Sequence, residues 1–261
     1  MGGRFEHLEF GEGRDKREQP VRRQTGAPKL TAEELQRQAD EEYHWGQYES
    51  GLRLYTRCLE EDRGRIAAWV GQVQMLVELA EYSEARLWSD KALELFRNNG
   101  ELLAAKAQAC VRMADRKAAW ACSDAAVKAA GSSPFRWRVR GEVLLAAGHK
   151  MYDACFEKSL AEGAADWFDR IAIARILLFY RKAAAALEYA GAAVDLNPGC
   201  GYAWYMVGSC QQELGLKDAA LRSFARCLEI RPDWPDADAA RDAAGRQSWF
   251  SQVFRRLKGG R

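Results

Sequence analysis

The chain has 261 residues, 48% of them hydrophobic and 29% charged, enough apolar material to bury a substantial core with neither a metal nor a disulfide framework. Its 39 Lys and Arg against 37 Asp and Glu leave a net charge of +2, too balanced to indicate a nucleic-acid or a membrane partner. The seven cysteines are odd in number, scattered and never in a CxxC pair, which argues against a zinc site or a disulfide framework and fits a reducing cytoplasm.

In chain order, residues 1–29 come first and read as a flexible arm, with five glycines and seven Lys or Arg against five Asp or Glu. No apolar signal-peptide core is present there, and Glu6 stands where a myristoylation signal needs Ser or Thr. Phe5, Leu8 and Phe10 are the arm's only apolar cluster, a docking peptide if the arm has a role. The most apolar run of the chain, 171–180, contains Arg175 and is too short to span a bilayer.

From residue 30 the sequence repeats with a period of 34. Small residues recur at Ala39, Val73, Ala107, Gly141, Ala174 and Gly208, Val73 being the largest. A second ladder runs Gly51, Ala85, Ala119, Tyr152, Ala186, Ala220, and a third Cys58, Ala92, Ala126, Ser159, Ala193, Cys227, each member of the third followed by an apolar residue. The one shortened gap lies in the turn near His149. Small side chains at such positions let antiparallel helices approach closely. Turns between the helices of a pair fall at Gly46, Ala80, Ala114, Gly148 and Gly215, with Arg181 the exception, and Pro198 and Pro232 close the last two repeats.

The segment Trp204, Tyr205, Met206, Val207, Gly208, followed by Gln211, Leu214, Gly215, Ala220, Phe224, Cys227 and Pro232, resembles the tetratricopeptide pattern W-x2-L-G-x2-Y…A-x3-F…P. It departs in Val207 for Leu, Gln211 for Tyr and Cys227 for Ala. Earlier repeats keep less: Trp69 and Trp137 hold the first aromatic and Tyr55 and Phe156 the later one, while Ser89, Ser123 and Ala190 replace the latter, and Tyr152 occupies a position that calls for a small residue. The resemblance implies an all-α fold: a right-handed superhelical solenoid of about six helix-turn-helix repeats at 32–65, 66–99, 100–133, 134–166, 167–200 and 201–234, forming a domain over 30–234.

After the PDWP turn at 232–235, residues 236–257 are expected to form one more helix. Trp249, Phe250, Val253, Phe254 and Leu257 share one face of it. Residues 235–261 thus read as an amphipathic capping helix with a basic tail that covers the last core face, as solenoid ends require. A partner or membrane-surface contact is the alternative, suggested by Arg255, Arg256, Lys258 and Arg261 beside those aromatics.

Motifs for chemistry are missing. His7, His44 and His149 have no second ligand at a metal-binding spacing, and there is no GxSxG, P-loop or strand-borne GxGxxG. No cofactor or metal is expected, and the chain reads as no enzyme. Cys200, in a turn between Pro198 and Gly201, is the expected most reactive thiol.

One residue after each small position of a first helix stand Asp40, Gln74, Gln108, Glu142, Arg175 and Ser209, all polar within largely apolar helices. Such a stripe is expected to face water or a ligand. The family's first helices line a concave groove, so the resemblance implies that these six form a polar spine along it, broadened by Arg138, Tyr205 and Gln212. Asp40 and Gln74 stand where the family's carboxylate clamp carries Lys and Asn, which argues against that clamp. The sequence therefore predicts an interaction module, a cytoplasmic adaptor or assembly chaperone holding a peptide or helix of a protein partner. A structural subunit joined through its convex face or its ends is the first rival. An RNA-binding helical repeat is the second, disfavoured by the lack of a basic ladder. Trp45, Trp88, Trp120, Trp167 and Trp234 fall outside the aromatic ladder and are candidates for exposed anchors.

Overall fold

The structure is a computed structural model that describes residues 30–163 and 166–258, residues 247–258 by helix backbone alone. The expectation for the arm at 1–29 therefore lies outside the described residues. The described chain is built entirely from α-helices in antiparallel pairs: α1 (Ala32–His44) with α2 (Tyr48–Glu61), α3 (Ile66–Glu78) with α4 (Tyr82–Leu95), and α5 (Gly100–Arg112) with α6 (Arg116–Lys128). They are followed by α7 (Pro134–Ala146) with α8 (Tyr152–Glu162), α9 (Trp167–Phe179) with α10 (Ala183–Leu196), α11 (Gly201–Glu213) with α12 (Lys217–Ile230), and the single helix α13 (Pro235–Lys258).

Helix starts follow local chemistry. Thr31 and Glu34 form a reciprocal capping box at α1, Asn99 caps α5, Ser133 caps α7 ahead of Pro134, and Asp166 caps α9. The six turns within pairs share one conformation, with a left-handed residue at Gly46, Ala80, Ala114, Gly148, Arg181 and Gly215. That geometry reverses the chain directly after the first helix, and three of the six positions accept it without glycine.

Packing explains the ladders. Ala39, Val73, Ala107, Gly141, Ala174 and Gly208 are all buried. Volumes are complementary between the helices of a pair: Gly141 accompanies Phe156 and Gly208 accompanies Phe224, whereas Val73 accompanies the small Ser89. A Cβ added at Gly141 or Gly208 would lie 2.5 or 2.6 Å from the respective ring, so close approach of the helices requires glycine there. Arg136, reaching back from α7, donates to the carbonyls of Ala129, Ala130 and Gly131 and pairs with Glu101, which satisfies the open C-terminal end of α6.

The stacking is uneven. Successive pairs from α1 to α8 pack closely, and so do those from α9 to α13, but α9 meets α7 and α8 only sparsely. The buried core falls into two clusters that interlock across this step: the first runs from Leu35 to Val143 and takes in Phe168 of α9, and the second joins Leu145 of α7 and Phe156 of α8 to Ile171, Leu177, Tyr202 and Trp234. The residue missing near His149 belongs to this region: α8 has 11 residues, where the other second helices have 13 or 14. Tyr152, the oversized ladder member, begins α8 and stays half-buried, its ring meeting Phe156 edge-on.

Candidate functional site

First helices of successive pairs pack on one another, α3 with α5 and α5 with α7, and the polar spine runs along them, but it does not face open water. Gln74, Gln108, Glu142 and Arg138 are all buried, and the Arg175 side chain is only 9% exposed. These five are therefore largely shielded from solvent by other parts of the chain, although Arg175 still borders a cavity. Asp40 accepts a hydrogen bond from the Tyr55 hydroxyl, Arg138 pairs with Asp169 at 3.2 Å, and Glu142 pairs with Arg112. Tyr205, Ser209 and Gln212 are half-buried, with the Ser209 hydroxyl donating to the carbonyl of Tyr205.

Arg175 is where the chain closes on itself. One guanidinium nitrogen donates to the Tyr43 hydroxyl and to Glu78, each at 2.9 Å, and the other to the hydroxyls of Tyr48 at 3.2 Å and Tyr202 at 3.3 Å. The elbow between α1 and α2 therefore docks against α9 and α11, so that the first pair touches the fifth and sixth. His44 and Tyr43 lie against Phe168 with ring centroids 4.1 and 4.9 Å apart. Arg231 donates to the carbonyl of Trp45 at 3.3 Å. Burial alone would lower the affinity of Arg175 for its proton, but the Glu78 carboxylate, followed by the tyrosines, raises it well above the ordinary value, so the cation is fixed. Burial likewise pushes the Tyr48 hydroxyl well up, keeping it neutral and able to donate.

Beside this closure a cavity of about 380 Å³ remains on the inner surface. Tyr48, Glu78, Tyr82, Arg112, Arg175, Phe179, Tyr202, Tyr205, Ser209 and Trp234 are among its lining residues. The Arg112 guanidinium sits 3.8 Å over the Phe179 ring, a cation–π contact at the mouth. Phe179 is 44% exposed, unusual for so large an apolar side chain. Two buried donors on the lining, Arg175 Nε and Trp234 Nε1, have no acceptor. The aromatic lining suits an apolar or aromatic group. Among the described residues no group of three or more His, Cys, Asp or Glu could hold a metal, and no helix is long and apolar enough to cross a membrane.

Sequence reasoning brought Arg175, Tyr205 and Ser209 to this site and missed Tyr43, Tyr48, Glu78 and Arg112. A signal existed for two of them: Glu78 and Arg112 end the apolar helices α3 and α5 one turn beyond Gln74 and Gln108. Cys200 is a correction. It is buried, not exposed, because it stands at the start of α11 within the second core cluster, and burial raises its thiol, which opposes reactivity. Of the tryptophans outside the ladder, Trp88 and Trp234 are buried, Trp167 is half-buried, and Trp45 and Trp120 are 40% and 42% exposed.

Comparison with known proteins agrees with this geometry. Residues 201–233 match the tetratricopeptide repeat family model. No curated protein matches the sequence. Among solved structures, a tetratricopeptide repeat protein from Parabacteroides merdae superposes with a TM-score of 0.52 at 14% identity, covering 82% of this chain and 84% of that one. The hetero-tetramer of APC/C proteins Cut9 and Hcn1 contains a chain that superposes with a TM-score of 0.50 at 12% identity, over 82% of this chain and 43% of that chain. YrrB, described as a tetratricopeptide protein with an unusual peptide-binding site, reaches 0.42 at 21% identity, over 72% of this chain and 97% of its own. The 34-residue ladder, six helix pairs turning through one left-handed residue each, and the match at 201–233 make this chain an all-α solenoid of helix pairs that is similar to tetratricopeptide-repeat proteins, with the repeat itself matched at 201–233.

Proposed function

We propose that the chain is a non-enzymatic protein–protein interaction module, a cytoplasmic adaptor or assembly chaperone whose domain over 30–234 receives a short segment of a partner protein at the mouth of the inner cavity. The observation that carries this reading is the cavity itself, with an exposed Phe179 and the aromatics Tyr205 and Trp234 on its lining. An apolar or aromatic anchor would fill the space. Gln74, Gln108, Glu142 and Arg138 then act as the internal frame of the groove, while Tyr205, Ser209 and Gln212 offer contact surface. The test is capture of a partner from native lysate by the intact chain and by a Ser209→Arg, Phe179→Ser double variant. Loss of the partner with an unchanged melting temperature is the expected result. Retention would move binding elsewhere.

A second reading, a structural subunit joined through its outer face, has its own observation. Leu87 and Leu95 on α4, Trp120 on α6 and Leu196 on α10 are large apolar residues of second helices, all between 42% and 58% exposed. A partner that survives the cavity variant but is lost on changing Leu87 and Trp120 to Ser would favour it.

A further inference from the structure

The two halves of α13 differ in which face is apolar. Its first half packs on the last pair through Ala237, Ala240 and Ala244, with Ala244 joining Ala220 and Phe224 in a small core cluster. A stripe with that spacing continues along a regular helix to Ser248, Ser251, Arg255 and Lys258, all polar. The apolar positions 249, 250, 253, 254 and 257 lie on the other side. The face that closes the solenoid therefore ends at Ala244, and Trp249, Phe250, Val253, Phe254 and Leu257 are out of register with it. Length agrees: α12 has 14 residues and α13 has 24, roughly 21 Å against 36 Å at about 1.5 Å per residue. The second half outruns the helix it packs on.

Charge is segregated in the same place. From Ala243 to the last residue the chain carries Arg246, Arg255, Arg256, Lys258 and Arg261 and not one Asp or Glu. The remainder keeps 34 of the 39 Lys and Arg against all 37 Asp and Glu, so the positive net charge of the chain resides in this segment. On the helix, Arg256 and Lys258 occupy positions that flank the apolar arc on either side. An arc of Trp and Phe bordered by cations and free of acids is the composition of a helix that lies in the surface of an anionic bilayer.

We propose that residues 246–261 form an interfacial anchor that docks the solenoid on anionic lipid. The apolar arc enters the headgroup boundary, Arg256 and Lys258 at its edges meet lipid phosphate and carboxylate groups, and Arg246, Arg255 and Arg261 add to the positive field that draws the segment to the surface. A groove of an acidic partner protein would take the same cations, but an aromatic arc set between flanking Lys and Arg suits a planar surface better than a cleft.

The experiment is vesicle flotation of the full chain, with phosphatidylcholine vesicles and with phosphatidylcholine–phosphatidylserine vesicles. Two variants accompany it, Trp249→Ser with Phe250→Ser and Phe254→Ser, and Arg255→Gln with Arg256→Gln and Lys258→Gln. The expected result is binding to the anionic vesicles only, weakened by added salt and lost in the apolar variant. The charge variant is expected to bind on the order of 100-fold more weakly, at roughly a factor of five per cation. Melting temperatures should be unchanged in both, since the substituted positions lie beyond Ala244. No flotation of the intact chain would overturn the proposal. So would equal binding to neutral vesicles, a melting temperature that falls with the apolar variant, which would make the segment part of the cap, or self-association removed by that variant without vesicle binding.

Discussion

The junctions between successive pairs from α1 to α8 and the junction between α8 and α9 solve one problem in two ways. In the first stretch each first helix packs on both neighbours through small residues, and the charges it buries are matched across adjacent pairs, as Arg112 on α5 is by Glu142 on α7. At α8–α9 the second helix is short, with eleven residues, and little surface is stacked. The missing contact is recovered at long range, where Arg175 on α9 finds Tyr43, Tyr48 and Glu78 in the first two pairs. A repeat protein is ordinarily a one-dimensional stack whose stability sums over neighbours. Here a weak step in the stack is compensated by closure of the whole turn.

Substitutions separate the two solutions. The largest effect is expected inside the regular stack: Arg112→Ala leaves the fully buried Glu142 without its partner and should cost about 3–5 kcal/mol in chemical denaturation. A loss under about 1 kcal/mol would mean that the pair is held more loosely than its burial indicates. Next comes Gly141→Ala, which places a Cβ 2.5 Å from Phe156 and 3.2 Å from the carbonyl of Tyr152. Overpacking should cost roughly 1–3 kcal/mol, less the few tenths to 1 kcal/mol that alanine gains in a helix. Gly191→Ala in α10 is the matched control, because nothing lies within 4 Å of the added carbon. It should raise stability by up to about 1 kcal/mol, and a loss there would contradict the packing described.

The smallest effect is on pH dependence. Burial, ahead of the hydrogen bond from Tyr55 at Asp40 and of the Arg138 charge at Asp169, raises both carboxyls above the ordinary aspartate value. A carboxyl raised on folding binds its proton more tightly in the folded state. These two groups therefore favour folding as pH falls from the raised value toward the unfolded one, near about 4. Within that window Asp40→Asn should make the melting temperature less dependent on pH, which scanning calorimetry at several pH values would measure. A steeper dependence in the variant would reverse the assignment.

Much of the architecture was legible because it is written periodically. The small-residue ladder located every first helix, and the turn positions located every reversal, including Arg181, whose left-handed backbone matches that of Gly215. The spine was legible as a position on the inner surface but not as an environment. Nothing in a 34-residue period encodes that Tyr43 and Tyr48 reach a residue 132 and 127 positions away. Glu78 and Arg112 were readable as charges ending apolar helices, yet their meaning depends on partners in other pairs: Arg175 three pairs on for Glu78, and Glu142 in the next pair for Arg112. The whole-chain sum of +2 likewise says nothing of distribution, since it averages an acidic body and a basic end. Cys200 was misplaced because a Pro-Gly-Cys-Gly turn reads as surface, while in the fold it stands at the start of α11 within the second core cluster.

The claim at the centre of this account is that the superhelix is closed by the side chains around Arg175 and not by repeat stacking alone. Small-angle X-ray scattering of the intact chain and of Arg175→Leu tests it most directly. The account predicts a compact particle for the intact chain and a larger radius of gyration for the variant, with helical content preserved, as the elbow between α1 and α2 swings away from α9 and α11. Equal dimensions for the two would contradict it and would assign the closure to the packing of the helix pairs themselves.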